Sequence, residues 1–142
     1  MTHIIKALSE ISGDYDVLFC DLWGCVHNGR VAYPAAISAL QAFRRQGGRV
    51  ALMTNAPRPR RFVAEQIARL NVPRDAWDDI VTSGDAAQDA MLAGDVGHRV
   101  WHIGTEKDLG FFTGTDDPRA EGIERVAFGD AEGIVATGPF DE

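Results

Sequence analysis

Two short apolar runs, each ending in a polar tip, constrain this chain more than any other feature. Asp16-Val17-Leu18-Phe19-Cys20 runs into Asp21, and Val50-Ala51-Leu52-Met53 runs into Thr54-Asn55. Runs this short and this rich in branched and aromatic side chains read as strands, and the first is apolar enough for burial on both faces. Between them, Pro34 suits the first turn of a helix, Ile37, Leu40 and Phe43 recur on one side, and Gly47-Gly48 stops it. Strand, helix, strand implies parallel neighbours with a right-handed crossover. Open sheets of this kind place their chemistry beyond the C-terminal strand ends. Asp21 and Thr54 therefore face one crevice.

The pattern continues along the chain. Ile4, Ile5, Leu8 and Ile11 predict a short amphipathic helix ahead of the first strand, stopped at Gly13. Asn28-Gly29, between Val26 and Val31, suits the two centre positions of a hairpin turn. Pro57 and Pro59 open a helix carrying Phe62, Val63, Ile67 and Leu70, which Asn71 and Pro73 end. Asp79 to Thr82 predicts a third strand, with Ser83 as N-cap of a helix reaching Met91 to Ala93. Gly94 and Gly97 precede a strand at Arg99 to Ile103. Beyond Gly104 the sequence turns to Gly, Thr, Asp and Glu, with short strands near Arg125 to Phe128 and Gly133 to Ala136. The fold class is α/β with a domain boundary near residues 97 to 105.

Asp21-Leu22-Trp23-Gly24-Cys25-Val26 with Thr54-Asn55 resembles motifs one and two of the haloacid dehalogenase superfamily of phosphohydrolases. The closer resemblance is to its type IIA branch. Val81-Thr82-Ser83-Gly84-Asp85-Ala86 is similar to that branch's third strand and following helix. Trp101-His102-Ile103-Gly104 and Thr137-Gly138-Pro139-Phe140-Asp141 are similar to the start of its cap. The resemblance implies a Rossmann-like parallel sheet, with residues 1–97 as the N-terminal part of the core. Residues 98–142 would be a linker and the beginning of an α/β cap.

The same resemblance implies a Mg2+-dependent phosphohydrolase that acts through an aspartyl-phosphate on a small phosphorylated metabolite. Asp21 would be nucleophile and metal ligand, and the Trp23 backbone carbonyl a second ligand. The turn near Asn28-Gly29 would be a flap over the site. The family's later lysine and acidic motifs have no counterpart, since Lys6 and Lys107 are the only lysines. The chain therefore reads as the N-terminal half of a longer protein. In the family's sheet the first strand is central, so an isolated half would expose its edge and invite self-association.

Each candidate has a plainer reading. Asp21 could cap its turn, but Gly24, the flap-like hairpin and Thr54 favour chemistry. Trp23 stands where the family's phosphatases keep a second Asp that protonates the leaving group. An indole N–H cannot shuttle protons near neutral pH, and losing a general acid costs about 10²- to 10⁴-fold in rate. This leaves a second reading: a phosphate-ligand binding or regulatory protein without turnover. Trp23 as a packing residue also stays open. Dehalogenases of the superfamily carry an aromatic here, but their cap lies between the two motifs, where this chain has room for only a hairpin and one helix.

Thr54 could simply end a strand; at this place its hydroxyl suits a phosphoryl oxygen, with backbone N–H groups of the next helix beside it. Asn55 is also a routine turn residue, and Trp23 and Gly24 complete the substrate-binding turn. Arg58, Arg60 and Arg61 oppose the dipole of the helix they begin. A solvated face explains most such clusters, and Arg58, nearest Thr54, is the candidate phosphate ligand. Asp85 suits a capping carboxylate. The run Arg99-Val100-Trp101 between His98 and His102 suggests a strand, which does not give the helical geometry of a metal pair.

Composition narrows the class. The chain of 142 residues is 45% hydrophobic and 25% charged, which fits a globular domain or part of one. Its net charge of −7 argues against nucleic acid or anionic lipid as partners. No secretory h-region and no apolar run near about 18 residues occur, so a membrane partner is not expected. Cys20 and Cys25 read as reduced thiols of a cytoplasmic protein.

Overall fold

In the computed structural model, residues 4–139 are described. They form two compact units, one from the residues up to Thr54 with Arg61–Val81, the other from Asn55–Arg60 with Thr82 onward. The first holds strands β1 (Val17–Asp21) and β2 (Arg49–Thr54), joined through helix α1 (Pro34–Arg45). The strands pair in parallel, with Cys20 opposite Leu52 and Asp21 opposite Met53. Helix α2 (Arg60–Arg69) leads to β3 (Asp79–Thr82), and the sheet order is β1-β2-β3. The α/β parallel architecture expected from the alternation is present.

Periodicity explains which residues are covered. Val50 and Leu52 of β2 and Ile80 of β3 are buried, as are Leu40 and Phe43 of α1 and Val63 and Ile67 of α2. Alternate residues of each strand point to the other face, and that face is bare: Phe19 is 66% exposed, Val17 47% and Met53 44%. Burial of β1 on both faces, expected from its apolar run, is not what the structure has. Its only strand neighbour among the described residues is β2. The sequence of β1 suits two covered faces, and one of them lacks a cover here.

A carboxylate ties the first unit together. Asp78 accepts from Arg44 Nε at 3.0 Å, Arg44 Nη2 at 2.6 Å and the Val50 N–H at 2.7 Å. These bonds, the arginine's foremost, hold the Asp78 carboxyl below its ordinary range. The N-terminal helix does not form. Leu8–Glu10 and Ser12–Asp14 are single 3-10 turns, and Ile4 is exposed. Glu10 instead accepts from the Lys6 and Ala7 N–H groups, and Ser12 with Gly13 ends a segment too short to propagate a helix.

Beyond its Asn55–Arg60 segment, the second unit holds α3 (Ser83–Leu92) and centres on β4 (Arg99–Ile103), flanked by parallel β5 (Glu124–Arg125) and β6 (Gly133–Ala136). Met91, Leu92, Val100, Phe111 and Val135 form its core. The strand expected to reach Phe128 is shorter, because Phe128–Asp130 makes a 3-10 turn. Phe140 and Asp141, read as part of the cap's start, lie outside the described residues. No helix among the described residues is long and apolar enough to cross a membrane.

Candidate functional site

Asp21 is the last residue of β1, exposed at its C-terminal end. Its Oδ1 accepts the neighbouring Leu22 N–H at 2.8 Å. The chain then closes a tight turn: the Leu22 carbonyl accepts from Val26 and His27, and the Gly24 N–H donates to the His27 carbonyl at 2.8 Å. Gly24 supports this turn at φ 78°. Leu22 and Val26 anchor it in the core, leaving Asp21, Trp23 and Gly24 exposed. The groups of the Trp23–His27 bridge are the Leu22 carbonyl and the Gly24 N–H, so the Trp23 carbonyl is not among those the bridge uses.

The hairpin differs from expectation by one position. Asn28 N–H donates to the Val31 carbonyl, which makes Gly29 and Arg30 the centre residues. Gly29 alone of these has positive φ, 83°. Asn28 acts from outside the centre, its Oδ1 accepting from Arg30 and Val31 N–H groups.

His27, not singled out from sequence, is buried beneath this turn. Its Nδ1 accepts the Gly29 N–H at 3.0 Å, which places the proton of the neutral ring on Nε2. Burial pushes the imidazole below its usual pKa, and the Asp21 charge opposes that shift. Its only sequence signal was its place inside the turn motif. Burial also lifts the Cys20 thiol to about 11, with Cys25 and Asp21 adding to the effect, while Cys25 is exposed.

Thr54 ends β2, partly buried, one step beyond Met53 and its partner Asp21. The two strand tips are thus brought together within the first unit. Asn55 and Arg58 are exposed and belong to the other unit's short segment. The Arg58 backbone lies against Gly84, where any Cβ would collide with it. Arg60 owes its place to Asp85, which accepts from its N–H at 2.9 Å and its Nε at 3.0 Å. Arg61 stacks on Phe62. The N-cap of α3 is Thr82, not Ser83: its backbone is extended and its Oγ1 accepts the Asp85 N–H at 2.8 Å. Ser83 is already the first helical residue.

A family model for haloacid dehalogenase-like hydrolases matches residues 18–116. The chain belongs to that family. A haloacid dehalogenase-like hydrolase from Brucella suis 1330 is similar in structure, with a TM-score of 0.85 and 40% identity over 98% of this chain. The chain spans 50% of that protein's length. No curated protein matches it. As a hydrolase-family chain with a Rossmann-type sheet, it carries its strand-end carboxylate at the place where α/β sheets bind ligands.

The oxygens of Asp21 and the Trp23 carbonyl are hard donors that suit Mg2+, which keeps several waters and is often held by one or two carboxylates with substrate phosphate. Among the described residues no three His, Cys, Asp or Glu side chains gather into a metal cluster. The donor set fits the ion but is partial.

Proposed function

We propose that this chain is the N-terminal part of a type IIA-like, Mg2+-dependent phosphohydrolase acting on a small phosphorylated metabolite in the cytoplasm. Residues 1–97 form the start of its core, and residues 98–142 a linker and the beginning of its cap. The observation that carries the reading is an exposed carboxylate at the β1 tip, beside the strand that ends in Thr54. An Asp21 oxygen attacks phosphorus, the ester oxygen leaves and takes a proton from solvent to give the alcohol, and water then hydrolyses the aspartyl-phosphate to release phosphate and restore the carboxylate. Thr54 donates to a phosphoryl oxygen, and Gly24, Asn55 and Arg58 contribute to substrate binding. Asp21 and the Trp23 carbonyl would hold Mg2+, which would supply charge neutralisation for the phosphoryl group.

The test is hydrolysis of p-nitrophenyl phosphate with Mg2+. The 142-residue chain is expected to show negligible turnover, because its only lysines, Lys6 and Lys107, lie in no lysine motif of the family and, among the described residues, no three His, Cys, Asp or Glu side chains gather into a metal site. An extended protein supplying those motifs turns over, and Asp21→Asn abolishes the activity. Robust turnover by the chain alone, or turnover surviving Asp21→Asn, refutes the reading.

Trp23 favours a second reading, a phosphate-ligand binding or regulatory protein with impaired catalysis. The two separate by leaving group. In an extended protein, Trp23→Asp raises hydrolysis of alkyl esters more than that of activated aryl esters if position 23 is the acid position. Equal effects on both contradict that assignment.

We also infer self-association through the open edge of β1. Val17 and Phe19 are exposed beside it, and unpaired strand edges template pairing with other chains. Light scattering across a concentration series gives a rising mass if this holds, and a constant monomer mass if it does not.

A further inference from the structure

We propose that Trp23 is a preset aromatic platform beside Asp21, selecting phosphate esters whose organic group is a flat ring. This rests on Asp21 being the phosphate-ester site. Among the described residues Trp23 is 64% exposed. It is nevertheless held in place. A Cβ on Gly29 would lie 2.5 Å from its Cη2 and Cζ3, so the benzo edge rests directly on the Gly29 backbone. The His27 imidazole meets it edge-on, with ring centroids 5.9 Å apart and planes at 85°. The Gly29 N–H in turn fixes His27 through Nδ1.

Three residues therefore lock one another, with Gly29 and His27 as positioning residues. A side chain seated by its neighbours before binding loses less entropy when a ligand stacks on it. Indole offers a broad apolar face whose offset or edge-on contacts favour aromatic rings over alkyl chains. The turn closed by Gly24 and His27 carries the indole two residues beyond Asp21, so one turn holds both the carboxylate and the aromatic face.

The experiment titrates the 142-residue chain, with Mg2+ present, separately with phenyl phosphate, propyl phosphate and inorganic phosphate. Binding is followed by NMR at the indole N–H resonances, Trp23 being identified by its loss in Trp23→Leu. Phenyl phosphate is expected to bind about 3- to 10-fold more tightly than propyl phosphate and to shift the Trp23 resonance. In Trp23→Leu the ratio of the two affinities falls toward one. Gly29→Ala, which pushes the indole off its seat, lowers the ratio likewise, and it carries the test if Trp23→Leu does not fold. A ratio near one in the unmodified chain, or a ratio unchanged in both variants, overturns the proposal while leaving the phosphate site intact. Failure of inorganic phosphate and both esters to bind overturns the phosphate site and the proposal together.

Discussion

At the end of β3 the chain runs Thr82-Ser83-Gly84-Asp85 into a helix, and at the end of β1 it runs Asp21-Leu22-Trp23-Gly24 into an irregular turn. Both tips carry a carboxylate and a glycine, but their polar groups have different fates. Thr82 caps α3, Gly84 packs against the Arg58 backbone, and Asp85 is taken up by two Arg60 donors. Asp21 remains exposed, with one hydrogen bond to the adjacent N–H. A carboxylate saturated by fixed donors holds a structure together. One left open at a strand end is available for a ligand.

The largest contrast expected lies within the β1 tip itself. Cys20, with its thiol raised to about 11, should carry about 100-fold less thiolate at mildly alkaline pH than an unperturbed cysteine. Mass-spectrometric mapping after iodoacetamide treatment should find Cys25 modified first and Cys20 far more slowly. Equal rates would show that β1 is not ordered up to Asp21.

Next in size is Asp85→Ala, which removes the acceptor of both Arg60 bonds. It should lower unfolding stability by about 2 kcal/mol, seen as a lower urea midpoint at unchanged slope. A loss under about 0.5 kcal/mol would remove Asp85 from the structural class.

Asp78 sharpens the comparison through pH. Its folded pKa is depressed, first by Arg44, so its contribution is complete above the unfolded carboxylate pKa and is lost as pH falls through the lower folded value. Acid titration of stability should show this loss below about pH 4, and Asp78→Asn should flatten it. Because the Arg44 and Asp78 side chains are 27% and 32% exposed, about 1 kcal/mol is expected.

The smallest effect is the most telling for function. Asp21→Ala should change stability by less than about 0.5 kcal/mol, since it removes one local bond at an exposed position. A larger loss in urea unfolding would make Asp21 another structural carboxylate.

Much of this was legible in the sequence because it depends on local periodicity. The strands Arg49–Thr54, Asp79–Thr82, Arg99–Ile103 and Gly133–Ala136 follow their apolar runs residue for residue. What failed depended on partners outside the local pattern. Ile4 to Ile11 has helical spacing but forms only short 3-10 turns, and β1 reads as buried although its second face is open. Ser83 and Thr82 are both good caps, and only backbone geometry chooses between them. At the candidate site, Asp21 and Thr54 were readable as strand tips. His27 was not, because its burial and its bond to Gly29 arise from the fold of the turn. Arg60 read as part of a solvated face, and its bonds to Asp85 became visible only once the helix starts were placed together.

The central claim is that Asp21, not Asp85, is the ligand-binding carboxylate. A Mg2+ titration of the 142-residue chain followed by backbone amide NMR tests it directly. Shifts should centre on Asp21 to Gly24 and vanish in Asp21→Asn, while Asp85→Asn keeps them. Shifts centred on Ser83 to Asp85, or shifts at the β1 tip that survive Asp21→Asn, would contradict the account.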